Sequence, residues 1–183
     1  MKKTADVLLR RARQWDEDAL AQIYDTFAPA IYRYVYRRTG HQNTAEEITA
    51  ETFHRFLVAL KHGSGPTEYL SAWLYRVAHN LIVDFYRRQP PQEPESLDNV
   101  EESLAEPDQG AAHVERQMQV EQARAALRQL TPLQQQIITL RYLEELSNED
   151  IALIVERTEG AVKALQHRAL DSLRRILEGW NEA

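Results

Sequence analysis

Residues 67–88 read TEYLSAWLYRVAHNLIVDFYRR. Leu70, Trp73, Leu74, Val77, Ala78, Leu81, Ile82 and Phe85 recur at helical spacing and set one apolar stripe. Arg76, Asn80 and Arg87 fall opposite that stripe, with His79 and Arg88 nearby. Aromatics are interleaved: Tyr69, Trp73, Tyr75, Phe85 and Tyr86. Cations neutralise phosphate, and exposed aromatic rings stack on unpaired bases. Trp73 and Phe85 fit core positions better than stacking positions. The basic face, on pattern alone, reads either as a nucleic-acid surface or as a solvated face. Just upstream, HGSGP (62–66) breaks the preceding helix, and the glycine-rich loop 61–68 has the character of a seat for an extruded base.

The same period extends on both sides. Leu20, Ile23, Tyr24, Phe27, Ile31, Tyr34 and Val35 mark a helix, and helical signal before Trp15 marks a shorter one. Thr44, with Glu47 three residues on, reads as a capping box. It opens a helix whose apolar face is Ile48, Thr52, Phe53, Phe56, Leu57 and Leu60. Residues 89–113 (QPPQEPESLDNVEESLAEPDQGAAH) hold four of the seven prolines, seven acidic residues and no Lys or Arg. Such a stretch buries too little apolar area to offset its ordering entropy, so it reads as a flexible acidic linker, with a short helical turn near Val100 and Leu104.

Beyond it a helix is expected from near Val114, carrying Val120, Ala123, Leu127 and Leu130. Thr131-Pro132 is an N-cap followed by proline at the first helical position. Its helix carries Leu133, Ile137, Ile138, Leu140 and Leu143. Ser147 with Asp150 caps a helix bearing Ile151, Ala152, Ile154 and Val155. Glu156-Arg157 makes a tight connection, and Thr158 caps a last helix with Val162, Leu165, Ala169 and Leu173 inward. Helix, short turn, helix is the helix-turn-helix pattern. Its outer face carries Gly160, Lys163, Ala164, His167 and Asp171. Lys163 and His167 have the reach for phosphate or base edges, and Arg141 and Arg168 for the DNA backbone. So few long donors imply modest affinity for this domain alone. A solvated polar face is the bland alternative. No run alternates apolar and polar, so an all-α fold is expected.

The net charge is −6 at pH 7, an odd value for a DNA-binding protein. Yet residues 1–88 hold 13 basic against 10 acidic residues, and the deficit sits mainly in the linker. With 43% hydrophobic and 27% charged residues the composition is that of a globular protein. Absent cysteine excludes disulfides and thiolate chemistry. No apolar run nears the ~20 residues of a membrane helix, nor does the N-terminus resemble a signal peptide, so the cytoplasm is the expected location. The six histidines lack paired ligand spacing, and no phosphate loop or nucleophile elbow stands out. No enzyme activity, cofactor or metal is therefore expected.

IYRYVYRRTG (31–40), TAEEITAETFHRFL (44–57) and AWLYRVAHNLIVDFYRR (72–88) resemble the second conserved region of extracytoplasmic-function (ECF, group IV) sigma factors of the sigma-70 family. Residues 127–175 resemble their fourth region. The helix-turn-helix half alone is shared by many regulators; the combination is specific. The resemblance implies three segments. Residues 1–88 would be region 2, which docks on the clamp helices of the polymerase largest subunit and recognises and melts the −10 element. Residues 89–113 would be the connector, whose charge mimics nucleic acid in a basic channel. Residues 114–183 would be region 4, which reads the −35 element and meets the flap of the second-largest subunit. By position, Glu46, Glu47, Glu51 and Arg55 would dock on polymerase. Arg76, Asn80, Arg87 and Arg88 would hold −10 DNA, and Lys61, His62, Gly63 and Ser64 would lie in the base-capturing loop. Arg141, Thr158, Glu159, Lys163, Ala164, His167 and Arg168 would face the −35 element.

Three departures qualify this. Ala50 stands where the family usually has Gln, which bears on one clamp contact. The turn before Thr158 reads Val-Glu-Arg without the usual glycine. Glu156 and Glu159 would repel phosphate unless they accept from cytosine amino groups. Asp84 reads as structural, pairing with an arginine. Many relatives are held by an anti-sigma factor, which adds such a protein to the partners. With only a short tail after region 4, no C-terminal sensor domain is expected. A stand-alone helix-turn-helix regulator is the main rival; it would bind duplex DNA without polymerase and would not need residues 67–88.

Overall fold

The computed structural model describes residues 2–88, 118, 122–123 and 125–181. The chain forms two compact units, Met1–Ser103 and Leu104–Ala183. The expected linker 89–113, its helical turn, and most of the helix expected from Val114 lie outside the described residues. Among the described residues there is no strand.

The first unit packs four helices: α1 (Lys2–Ala12), α2 (Glu17–Thr39), α3 (Gln42–Lys61) and α4 (Leu70–Arg88). The α1–α2 corner turns on Trp15, whose φ of 61° stops the first helix. Asp16 then caps α2 by accepting from the Ala19 N–H at 3.1 Å. At the far end of α2, Gly40 takes φ 72° and donates its N–H back to the Tyr36 carbonyl, so α3 follows within two residues. Leu9, Ile23, Ile31, Tyr34, Phe56, Leu70, Leu74 and Ile82 fill the core.

Several boundaries differ from the expectation. α3 starts at Gln42, not Thr44, because the turn at Gly40 delivers His41 directly as the N-cap residue; no side chain caps it. α4 starts at Leu70, not Thr67, because Tyr69 sits at φ 53° and cannot continue a helix backwards. Tyr24 and Leu57, expected inward, are 49% and 39% exposed. Tyr24 lies at the rim, its ring edge-on to Phe53 at 4.8 Å.

In the second unit, described residues 118, 122–123 and 125–128 are helical, followed by α5 (Pro132–Ile138), a π turn (Thr139–Leu143), α6 (Asn148–Ile154) and α7 (Glu159–Asn181). Thr131 and Gln134 form the reciprocal capping box of α5, with Pro132 at its first position. In the π turn the Glu144 N–H reaches the Thr139 carbonyl, five residues back. That widened turn changes the angular spacing of the side chains. Leu140 stays fully buried, while Leu143, expected in the core, is 48% exposed. Leu130, Ile138 and Ala169 form the inner cluster, with Leu127 and Leu173 packed on it.

Candidate nucleic-acid interface

In the first unit, α4 presents Asn80, Arg87 and Arg88 to solvent, with Arg76 half-buried beside them. Arg87 pairs with Asp84 across one turn at 3.0 Å. Asp84 is thus the arginine-paired carboxylate expected. Val83, 46% exposed, interrupts the polar face; sequence reading had not placed it there.

Of the aromatics, Tyr75 is buried edge-on to Tyr34 at 5.3 Å, so its ring cannot stack on a base. Trp73, expected in the core, is half-buried, its ring edge-on to Phe56 at 5.8 Å. Tyr86 is 47% exposed as a residue, while its hydroxyl donates to the Arg38 carbonyl. His79 lies within hydrogen-bond distance of the Tyr34 hydroxyl, 3.2 Å. Burial, aided by the nearby Arg38 charge, lowers its pKa to about 4. It is therefore a neutral packing residue at pH 7, not a cation beside the basic face.

Loop 62–69 joins α3 to α4. Lys61, His62, Gly63 and Ser64 are all exposed. Gly63 has φ 68° and donates to the Leu60 carbonyl, and the Ser64 N–H reaches the Ala59 carbonyl at 2.9 Å. A link invisible in sequence closes the other side: Arg13 donates to the Pro66 carbonyl at 3.0 Å.

On α3, Glu46, Glu47, Ala50 and Arg55 are exposed and Glu51 is half-buried. Glu51 accepts from Arg55 at 2.8 Å, with His54 at 3.4 Å. The Arg55 hydrogen bond leads the causes that hold the Glu51 carboxyl below the ordinary carboxylate range. A hollow of about 480 Å³ opens between α2 and α3, with Tyr24, Tyr32, Arg33 and Glu46 in its lining.

In the second unit, Gly160, Lys163, Ala164, His167 and Arg168 are all exposed along α7. Thr158 caps the helix by accepting from the Ala161 N–H at 3.2 Å. Lys163 lies 3.7 Å from Glu159, and His167 lies 2.8 Å from Asp171. Lys163 and His167 therefore each have an acidic neighbour, while Arg168 Nε donates to the Ala164 carbonyl at 3.3 Å. Arg141 is half-buried, and its guanidinium donates to the Leu146 carbonyl at 2.9 Å, closing the turn before α6. The glycine-free turn is made by Glu156 itself at φ 53°, followed by Arg157, whose N–H returns to the Ala152 carbonyl. Gln166, buried on α7, donates to Asn148 on α6 at 2.7 Å and ties the two helices together.

Comparisons with known proteins match both halves of the chain to one family. The family model described as Sigma-70 region 2 matches residues 23–90, and Sigma-70 region 4 matches residues 121–173. The ECF RNA polymerase sigma factor BldN of Streptomyces coelicolor is 34% identical over 180 residues, covering 93% of this chain. This chain spans 64% of BldN's length. The ECF RNA polymerase sigma factor SigW of Bacillus subtilis is 29% identical over 180 residues, 92% of this chain and 94% of SigW. Among solved structures, CnrH in complex with the cytosolic domain of CnrY is similar in fold, with a TM-score of 0.68 at 17% identity over 95% of this chain and 97% of that one. The sigma factor RpoE in complex with the anti-sigma factor NepR from Bartonella quintana has a TM-score of 0.60 at 18% identity, covering 86% and 96%. With both conserved regions matched in order over about two thirds of its length, the chain belongs to the sigma-70 family of RNA polymerase sigma factors.

Proposed function

We propose that this chain is an ECF, group IV sigma factor. It binds core RNA polymerase and directs initiation at promoters through their −35 and −10 elements. The observation that carries the reading is the pairing, in one chain, of the polar α4 face beside an exposed loop with a capped helix-turn-helix. A stand-alone regulator needs only the second.

In this reading α3 docks on the polymerase clamp through Glu46, Glu47, Glu51 and Arg55. The Glu51–Arg55 pair keeps that carboxylate charged at cellular pH. Arg76, Asn80, Arg87 and Arg88 hold the strand exposed at the −10 element, with the phosphate replacing Asp84 beside Arg87. A surface ion pair is worth at most about 1 kcal/mol, so the exchange costs little. Loop 61–68 takes an extruded base. Gly160, Lys163, Ala164, His167 and Arg168 enter the −35 major groove behind Thr158 and Glu159, while Arg141 braces the turn before α6. Acidic neighbours beside Lys163 and His167 reduce the phosphate-neutralising charge, so the −35 contact is weak without polymerase. No described helix is long and apolar enough to cross a membrane. The proposed site of action is cytoplasmic polymerase. An anti-sigma factor is a further proposed partner.

The chain added to core polymerase is expected to start transcripts at a restricted set of genomic promoters. Neither core binding nor initiation would end the proposal. Asn80→Ala is expected to slow promoter opening about tenfold while leaving core affinity unchanged. Equal loss of both would mean misfolding.

A further inference from the structure

The corner between α1 and α2 touches the loop between α3 and α4. Arg13 Nη1 donates to the Pro66 carbonyl at 3.0 Å and approaches the Gly65 carbonyl at 3.4 Å. These partners lie 53 and 52 residues away in sequence. Arg13 is exposed, but its backbone is fixed. Its N–H bonds the Leu9 carbonyl at 3.0 Å, and Leu9 and Ala12 are fully buried. Just beyond it the Arg11–Asp16 pair, at 2.8 Å, closes the corner.

The loop is held from the other side as well. Gly63 and Ser64 donate to the last carbonyls of α3. Gly65 lies so close to Leu60 that a Cβ there would meet Leu60 Cδ2 at 2.9 Å and the Leu60 backbone nitrogen at 3.3 Å. Pro66 is buried. The inner half of the loop, residues 65–66, is thus clamped between α3 and Arg13. His62, Gly63, Ser64, Thr67 and Glu68 remain exposed around it.

We infer that Arg13 is a positioning residue for −10 recognition: it latches the carbonyls of Gly65 and Pro66 and so pre-shapes the loop that receives the extruded base. The inference rests on the base-capture reading of that loop. The physical reason is preorganisation. A loop ordered before binding does not lose that freedom on capture, and the saving appears as discrimination between bases that fit and bases that do not. A cation on two carbonyls suits the task because charge-assisted hydrogen bonds are stronger than neutral ones. Arg13 lies outside residues 23–90, the span matched to the region 2 model. The inference therefore assigns α1 and its corner a part in promoter reading that the matched region alone does not contain.

The test uses holoenzyme reconstituted with core polymerase on a promoter mapped from its own RNA starts. Opening is followed with a fluorescent base analogue in the −10 element. Arg13→Ala is expected to reduce discrimination between the cognate element and single-base variants about tenfold, with core affinity unchanged. Arg13→Lys should recover part of that loss, since an ammonium still serves one carbonyl. In the free protein, exchange of the Gly63 and Ser64 amides should speed up while the interior of α3 stays protected. A uniform loss of opening on every −10 variant, or unchanged loop exchange, would overturn the inference. If Arg13→Ala fails to fold, Arg13→Lys and Arg13→Gln carry the same comparison. A His62→Ala/Ser64→Ala double variant separates the two ideas. If it leaves base discrimination intact, the loop reading fails and the inference with it. If it shifts discrimination while Arg13→Ala does not, only the latch fails.

Discussion

His79 shows how a single residue type changes meaning with burial. In sequence it sits beside Arg76 and Asn80; in the fold it faces the Tyr34 hydroxyl with Arg38 close by. Its pKa falls from 6.5 to about 4, so between those values the unfolded chain takes up a proton that the folded chain refuses. Stability is therefore full above pH 6.5 and is lost as pH falls toward 4. Urea denaturation of the first unit at pH 7 and pH 5 is expected to differ by about 2 kcal/mol from this residue, and His79→Gln should remove that part of the slope. No sequence signal separates such a histidine from a DNA-facing one, because the two differ only in what α2 places above them. Asp84 was legible for the opposite reason: Arg87 is one turn away on the same helix. Arg13 was invisible, because its partners lie about fifty residues downstream.

Helix starts divide along the same line. Thr131, Ser147 and Thr158 were readable as caps because each acceptor serves an N–H three residues on. Thr131→Ala is expected to destabilise the second unit by about 1 kcal/mol, seen as faster amide exchange in α5, whereas Thr131→Ser should retain most of it. The starts of α3 and α4 were misplaced because backbone turns, at Gly40 and Tyr69, set them rather than side chains. Leu143 was misplaced because a π turn breaks the period used to read it. The helix-turn-helix needed no glycine, since Glu156 accepts the left-handed conformation that the turn demands. Such a residue costs roughly 1–2 kcal/mol relative to an unstrained one, which the packing of α6 on α7 has to offset.

At the scale of the molecule, charge is distributed by segment. The seven acidic residues in 89–113, with no base among them, more than account for the net −6. Replacing those seven by Asn and Gln should raise the affinity of the free chain for non-promoter DNA, measured by filter binding at fixed salt, since the repulsion they add is long-ranged. Unchanged affinity would mean that the segment's charge is screened from the DNA-facing surfaces. The corners of the fold carry a different consequence. Trp15, Tyr69, Glu145 and Glu156 all hold left-handed backbone without being glycine. In the genetic code, glutamate and tryptophan each lie one nucleotide from glycine, and tyrosine lies two. Three of these four hinges are therefore within a single point mutation of relaxing, so a lineage can retune the stability of either unit in small heritable steps without disturbing a core residue.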